Sequence, residues 1–558
     1  MKFVTTNFRF LDMFFRESRG SSDAWPLLLM TIISASANAI LLVIINQAAH
    51  TVDFGNPNYR LFILFVITIA LFIISQKYVL SKITKISETI VNAIRVRLAD
   101  KVRKSDFYEL EKLGNAEVYS RISKDSTTIT QTSPVIMNAI QSAVMVFFCM
   151  IYIFFLSPIA FWLSVLAIVG SIIYYLVNDK KISAFMRVAS DQEVKLFDVL
   201  GHVLNGFKEI KVNTDKSNDV IDELSNTSDS VRDAKVNALI PFANNYIYSI
   251  VFFYLLIAII IFLLPNLYQT FNDVVVKLTT AVLFMVGPLS NVVNMVSLLS
   301  QSNIAVENLY ELEERLDNVN DGNSNSYLQW IEPFKKFKNI DLKNISFTYK
   351  DDEGDPLFSV EPSNLEIKRN EVIFIIGGNG SGKTTFLKLL TGLYHSSSGQ
   401  MTVDDNIIQP QNIQAYRELF SVIFSDFHLF DKLYGLRDIE PFKVNDLLKL
   451  MEISDKTTYD DNRFSNLRLS TGQRKRLALL VTFLEDKQIY IFDEWAADQD
   501  PHFRDFFYEH LLKDLKSRGK TIIAVTHDDR YFHCADRVLK MDCGQFVEFD
   551  HTNREKHE

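Results

Sequence analysis

The stretch Val372-Ile373-Phe374-Ile375-Ile376-Gly377-Gly378-Asn379-Gly380-Ser381-Gly382-Lys383-Thr384-Thr385-Phe386-Leu387-Lys388-Leu389-Leu390 decides the fold. It reads as a buried strand, a glycine loop and a helix, which is the context a phosphate-binding loop requires. Successive backbone N–H groups and the helix N-terminus form an anion cradle, and side chains at the glycine positions would hold a phosphate off. Lys383 is placed to reach the β- and γ-phosphates of a bound nucleotide, and the Thr384 hydroxyl to hold Mg²⁺. On this reading Gly377, Gly378, Asn379, Gly380, Ser381, Gly382, Lys383, Thr384 and Thr385 all belong to a nucleoside-triphosphate site.

The chain has 558 residues, room for several domains. A mean hydropathy of +0.07 is high for a soluble protein, and the long apolar runs lie almost entirely before residue 301. Three cysteines, Cys149, Cys534 and Cys543, offer neither a disulfide framework nor a familiar metal-ligand spacing. A net charge of −9, without a dense basic patch, argues against a nucleic-acid partner.

Trp25–Ala49 is nearly uncharged and long enough to cross about 30 Å of hydrocarbon. Ala35-Ser36-Ala37-Asn38-Ala39 resembles a signal-cleavage site, but the apolar run continues past it through Ile45, which favours a membrane span. Further runs follow at 61–80, 135–156, 159–177, 246–264 and 278–299. The connections 50–59, 157–158 and 265–276 are short and lack Lys or Arg. Segments 81–132 and 178–238 are long and carry many, among them Arg95, Arg97, Lys101, Lys180, Lys181 and Lys208. The positive-inside rule therefore places the long segments, both termini and the glycine loop in the cytoplasm. Apolar spacing at Ile83, Ile86, Ile90, Ile94 and Leu98 predicts that the spans continue as helices below the bilayer. Asn138 and Gln141, and Asn291, Asn294 and Ser297, share helix faces, and serve either a polar cargo cavity or interhelical hydrogen bonds.

Residues 1–316 thus read as an α-helical six-span transmembrane domain, 317–333 as an Asn/Asp/Ser/Gly-rich linker, and 334–558 as an α/β nucleotide-binding domain. Ile489-Tyr490-Ile491-Phe492-Asp493-Glu494 is a buried-type strand ending in two carboxylates, suited to hold Mg²⁺ (Asp493) and to polarise water (Glu494). Leu469-Ser470-Thr471-Gly472-Gln473 opens a second helix suited to a phosphate. Ile522–Thr526 is a strand leading to His527, which can reach the γ-phosphate, and Tyr349 is an aromatic for adenine or for the strand itself.

In this order the motifs resemble the nucleotide-binding domain of ABC transporters, and with six spans ahead of them the whole chain resembles an exporter-type half-transporter. The resemblance implies a Walker A loop at Gly377–Thr384, Walker B at Asp493, Glu494 as catalytic base, a switch histidine at His527, an A-loop at Tyr349 and a D-loop at Asp500. It also implies that Ser470, Gly472 and Gln473 of the signature loop contact ATP held by a second copy, so the working unit is a homodimer. Regions 114–125 and 206–211 correspond to the coupling helices or their neighbours. Thr471 stands where the signature usually has glycine, and Ser425 where a Mg²⁺-holding glutamine is usual, with Asp426 the nearest candidate substitute. These departures resemble the bacterial cyclic-peptide and siderophore-peptide exporter branch. ATP-driven export of a peptide-like cargo across the bacterial inner membrane is the leading expectation. A lipid flippase, multidrug exporter or siderophore importer of the same architecture is the alternative, and a non-hydrolysing ATP-binding regulator is disfavoured by the intact Asp493, Glu494 and His527. Residues 1–24 are too few for a protease domain, so leader cleavage is not expected.

Overall fold

The computed structural model describes residues 9–18, 24–50, 58–264, 272–317, 327–351, 354–437 and 439–547. The connections at 51–57 and 265–271, most of the expected linker (318–326), and the side chains of Lys180, Lys181 and Ser297 lie outside the described set. The chain divides into two compact units, Met1–Ser105 with Leu110–Val319, and Asp106–Glu109 with Asn320–Glu558.

The first unit is helical. Among the described residues, five helices are long and apolar enough to cross a membrane, within Trp25–Ala49, Tyr59–Lys104, Asn115–Leu156, Thr214–Leu263 and Val274–Asp317. A further apolar stretch, Pro158–Tyr174, opens the helix Pro158–Asn205. Ser157 interrupts the helix between Leu156 and Pro158, and its side chain caps the next helix at Ala160 N. Tyr59–Lys104 runs without interruption for 46 residues, about 70 Å, so the basic segment after the second span is helix, as its spacing predicts. Ile83, Ile90, Ile94 and Leu98 are buried along it.

An amphipathic element precedes the first span within residues 1–24. Arg9–Ser18 is an amphipathic helix whose Phe10 and Met13 are buried against Ile94, Leu98, Val306 and Leu309. Its polar face joins an ion-pair cluster in which Arg97 bridges Glu17 and Glu313, each at 3.0 Å. Polar groups inside the bundle resolve the two readings of the span residues. Gln141 Nε2 donates to Ser34 Oγ at 2.7 Å and Asn291 Nδ2 to Ser142 Oγ at 3.2 Å, so both are interhelical ties. Asn294 instead lines a cavity of about 590 Å³, together with Phe242, Asn245 and Tyr246.

The second unit is an α/β domain with a six-stranded sheet in the order β12-β11-β3-β10-β9-β6. β3 (Val372–Ile376), β10 (Thr521–Val525), β9 (Ile489–Asp493) and the edge strand β6 (Phe420–Ile423) are all parallel, with β11 (Arg537–Asp542) parallel to β3 and β12 (Gln545–Val547) antiparallel at the other edge. Apolar side chains on both sheet faces, such as Phe374, Ile375, Phe492 and Ile523, are buried, as near-continuous apolar strands of a doubly covered sheet must be. A second sheet pairs β1 (Asn339–Lys350) with β2 (Pro356–Lys368) and with β4 (Ser398–Val403). Helix Leu328–Lys335 precedes it, so the last residues of the expected linker are helical.

Asp106–Glu109 is part of this unit although it comes from the far end of the sequence, just upstream of the expected 114–125 region. Tyr108 packs edge-on to Phe347, Tyr349 and Tyr394. The buried Asp106 caps the following helix through Tyr108 N at 2.8 Å, and its other oxygen meets His395 Nε2 at 3.1 Å.

Truncating a buried phenylalanine costs about 3 kcal/mol or more. Phe10→Ala is therefore expected to lower the unfolding temperature of the detergent-solubilised protein and to expose residues 9–18 to protease. A variant with unchanged melting and cleavage would remove the N-terminal helix from the core.

Candidate functional site

Parallel pairing fixes the site before any side chain is considered. Val525 of β10 sits level with Ile375 of β3 and with Asp493 of β9, and Ile423 of β6 with Phe492. The glycine loop, His527, the two carboxylates and Ser425 are thus delivered to one edge, the carboxyl ends of the strands, where ligands of such sheets bind.

At that edge the helix Lys383–Leu390 begins after Gly382, whose φ is +100°. Gly377, at φ +154°, passes so close to β11 that a Cβ would lie 2.2 Å from the Met541 carbonyl oxygen. Lys383 Nζ donates to the carbonyls of Gly377 at 3.1 Å and Gly378 at 2.9 Å, and lies 3.7 Å from Glu494 Oε1. The same carboxylate oxygen is 3.0 Å from His527 Nε2. Lysine, glutamate and histidine therefore meet in one cluster beside the glycine loop.

Thr384 Oγ1 donates to Asp493 Oδ2 at 2.9 Å. Ser425 approaches the same carboxylate with both its backbone N–H and its hydroxyl. Ser425, the residue ahead of Asp426, is thus the one whose hydrogen bonds join this group. Burial, reinforced by neighbouring Glu494, pushes the Asp493 carboxyl above the usual carboxylate range, while the hydrogen bonds from Thr384 and Ser425 work the other way. A buried carboxylate beside a threonine hydroxyl is a hard oxygen pair of the kind Mg²⁺ takes. The buried Ser381 Oγ has no hydrogen-bond partner and lies beside Gly377, leaving a spare polar group within the loop. The residues fit a magnesium nucleotide.

Tyr349 is half-buried on β1, with its ring against Phe347, Phe358 and Tyr394 and its hydroxyl 3.4 Å from Thr385 Oγ1. It packs in the strand core and also borders the glycine loop.

Ser470, Gly472, Gln473 and Asp500 form a second group, and none of their hydrogen bonds goes to the glycine loop. Ser470 and Gln473 make a reciprocal capping box at the start of the helix Thr471–Glu485. Gly472 is needed for close packing, because a Cβ would lie 2.7 Å from the Asp498 carbonyl oxygen. Asp500 caps the next helix at Phe503 N, 3.0 Å, and pairs with Arg476.

Lys475 is a residue the sequence reading missed. Only 5 % of its side chain is exposed, and Nζ donates to the Glu494 carbonyl at 2.8 Å and to Asp498 Oδ2 at 2.6 Å. Glu494 is left-handed, at φ +51°, which costs about 1–2 kcal/mol for a residue with a Cβ. The buried ammonium holds that strained carbonyl. In sequence it is the middle of the basic triplet Arg474-Lys475-Arg476 that opens this helix.

Fold and site together define an ATP-binding cassette domain carried on a membrane-spanning bundle. A sequence profile described as ABC transporter matches residues 360–497. The chain is 30% identical over 534 residues to the ATP-binding protein SyrD of Pseudomonas syringae pv. syringae, covering 93% of each. It is also 30% identical over 233 residues, 39% of this chain and 80% of the relative, to the energy-coupling factor transporter ATP-binding protein EcfA1 of Streptococcus mutans. In fold it matches a bacterial Atm1-family ABC exporter solved with ATP bound, with a TM-score of 0.77, 15% identity, and coverage of 96% of this chain and 94% of that one. The chain belongs to the ABC transporter family. It is an exporter-type half-transporter, an integral membrane protein that binds ATP and hydrolyses it to drive transport.

Asp493 bears a charge whose burial is only partly offset. Because its folded pKa is raised, its stability contribution is full only at low pH and is lost as pH rises through that value. At neutral pH, without a cation, Asp493→Asn is therefore expected to raise the melting temperature and to abolish the further rise that Mg²⁺–ATP gives the native protein. A melting temperature lowered at neutral pH would contradict this account.

Proposed function

We propose that two copies of the chain form an ATP-driven exporter that moves a neutral, peptide-like cargo out of the bacterial cytoplasm. The observation that carries the hydrolytic part is the convergence of Lys383, Glu494 and His527 on one carboxylate oxygen beside the glycine loop. Lys383 leaves its loop carbonyls for the β- and γ-phosphates, and the loop N–H groups hold the remaining oxygens. Glu494 accepts a proton from the attacking water, and His527 holds the γ-phosphate side of the site. Thr384 and Asp493 would hold Mg²⁺, which when bound would neutralise charge on the phosphates.

Half of each site must come from elsewhere. Ser470 and Thr471 are exposed at a capped helix N-terminus and bond nothing in their own glycine loop, which supports their use on a nucleotide held by a second copy. The long basic helices face the cytoplasm on the positive-inside rule, with the termini and the cassette on the same side.

Cargo chemistry is inferred from the cavity among the helices. Among its described lining residues are two amide side chains, Asn245 and Asn294, and two aromatics, Phe242 and Tyr246, and none is charged. Amides paired with aromatic faces suit peptide groups with apolar side chains better than a phospholipid headgroup, which would call for cations. These residues lie at the cytoplasmic ends of the runs 135–156, 246–264 and 278–299, the loading side for export.

Glu494→Gln is expected to keep ATP affinity and to lose turnover by a factor of about 10² or more; undiminished steady-state hydrolysis would remove Glu494 as the base. Lys475→Met deletes a charge-assisted contact worth about 1.5–3 kcal/mol, so kcat should fall roughly tenfold or more at unchanged KM for ATP; a rise in KM alone would assign Lys475 to binding. Transport is tested in inverted vesicles with cyclic peptides, ferric siderophores and fluorescent lipids. ATP-dependent accumulation of a peptide is expected, and accumulation of lipid alone would favour the flippase reading.

A further inference from the structure

Behind the catalytic edge, three side chains of different chemistry converge with no role in nucleotide binding. Glu509 lies on the helical turn Phe507–Leu511, and His533 and Cys534 end the short helix Asp529–Cys534. Their donor atoms all lie within 4.8 Å of one another. One nitrogen, His533 Nε2, is 2.7 Å from Glu509 Oε1 and 3.5 Å from Cys534 Sγ.

We propose that Glu509, His533 and Cys534 form a binding site for a borderline divalent transition-metal ion of the zinc class. The donor set is one carboxylate oxygen, one imidazole nitrogen and one thiolate, with water as fourth ligand, the three-protein-ligand pattern of an open zinc site. With Zn–S near 2.3 Å and Zn–N near 2.0 Å, tetrahedral S and N ligands lie about 3.5 Å apart, the spacing already present. The shorter N–O pair must open to about 3.4 Å, which small side-chain rotations at these half-exposed positions allow. Sulfur and imidazole ligands select against Mg²⁺ and Ca²⁺.

The surroundings support the ligands. Lys513 Nζ donates to Glu509 Oε2 at 2.6 Å, so Oε1, which faces His533, is the oxygen placed to coordinate as a single-oxygen ligand. A hydrogen-bonded second oxygen is the usual outer support of a ligating carboxylate. The two ligand-bearing elements are already joined by the stack of Tyr508 on Tyr531, with centroids 4.2 Å apart. Tyr508 also bonds Thr526 Oγ1 at 2.8 Å, next to His527. A bound ion would therefore clamp together the two segments that support the strand end carrying the histidine.

The test uses the full-length protein, free of any affinity tag, titrated with Co²⁺ as a spectroscopic probe. One equivalent per chain is expected, with tetrahedral visible bands and a thiolate-to-metal charge-transfer absorption that Zn²⁺ bleaches. Cys534→Ser should remove the charge-transfer band, and His533→Ala should weaken binding by at least about tenfold, while both variants keep the native melting temperature in the absence of metal. Lack of a thiolate band overturns the proposal. So does a band that survives Cys534→Ser and disappears in Cys543→Ser, or affinity indifferent to His533→Ala.

Discussion

Everything chemical in the second unit depends on the parallel registration of β3, β10, β9 and β6. A parallel sheet brings its strand ends to a common edge, and here each strand delivers one functional group there: the glycine loop, His527, the Asp493–Glu494 pair and Ser425. A slip of one residue in β9 would turn Asp493 toward the opposite face and exchange the two carboxylates. The buried side chains on both faces are packed at interior density, and that packing holds the observed register. Catalytic placement is in this sense a by-product of core packing.

A second dependency runs through the helix Thr471–Glu485. Gly472 lets this helix approach the Asp498 carbonyl, and Lys475 and Arg476 then reach across to Glu494, Asp498 and Asp500. The signature end of the helix and the strained backbone at Glu494 are thus one rigid body. A displacement at Ser470 has a direct mechanical path to the carbonyl of the proposed base, with no intervening loop to absorb it.

Much of this was legible from the chain alone because it is local. The glycine loop, the apolar strands ending in Asp493–Glu494 and Thr526–His527, and the apolar runs announce themselves within ten or twenty residues. What the sequence left open depends on contacts between distant segments. Ser425 showed as a missing glutamine, but its bond to Asp493 required knowing that β6 lies beside β9. Lys475 looked like one more basic residue in Arg474-Lys475-Arg476 until the helix packed on the D-loop segment. The roles of Gln141 and Asn294, identical in pattern, separated only when one met Ser34 across the bundle and the other met a cavity. The helix Arg9–Ser18 was obscured by its own charges, although Phe10 and Met13 carry the i, i+3 spacing of a buried face.

The segment Asp106–Glu109 has a bearing on how the molecule is made. Tyr108 and Lys350 bond each other across 242 residues of sequence, so the aromatic wall beside the glycine loop stays incomplete until translation has added the later partners, on the order of ten seconds or more at typical synthesis rates. Until then the Tyr108 ring, already made, lacks Phe347, Tyr349 and Tyr394 to pack on. By the same token, a cassette cut out as 320–558 is not an autonomous folding unit with clean borders. It is a domain missing four of its own residues, with a sticky apolar cleft where Tyr108 belongs.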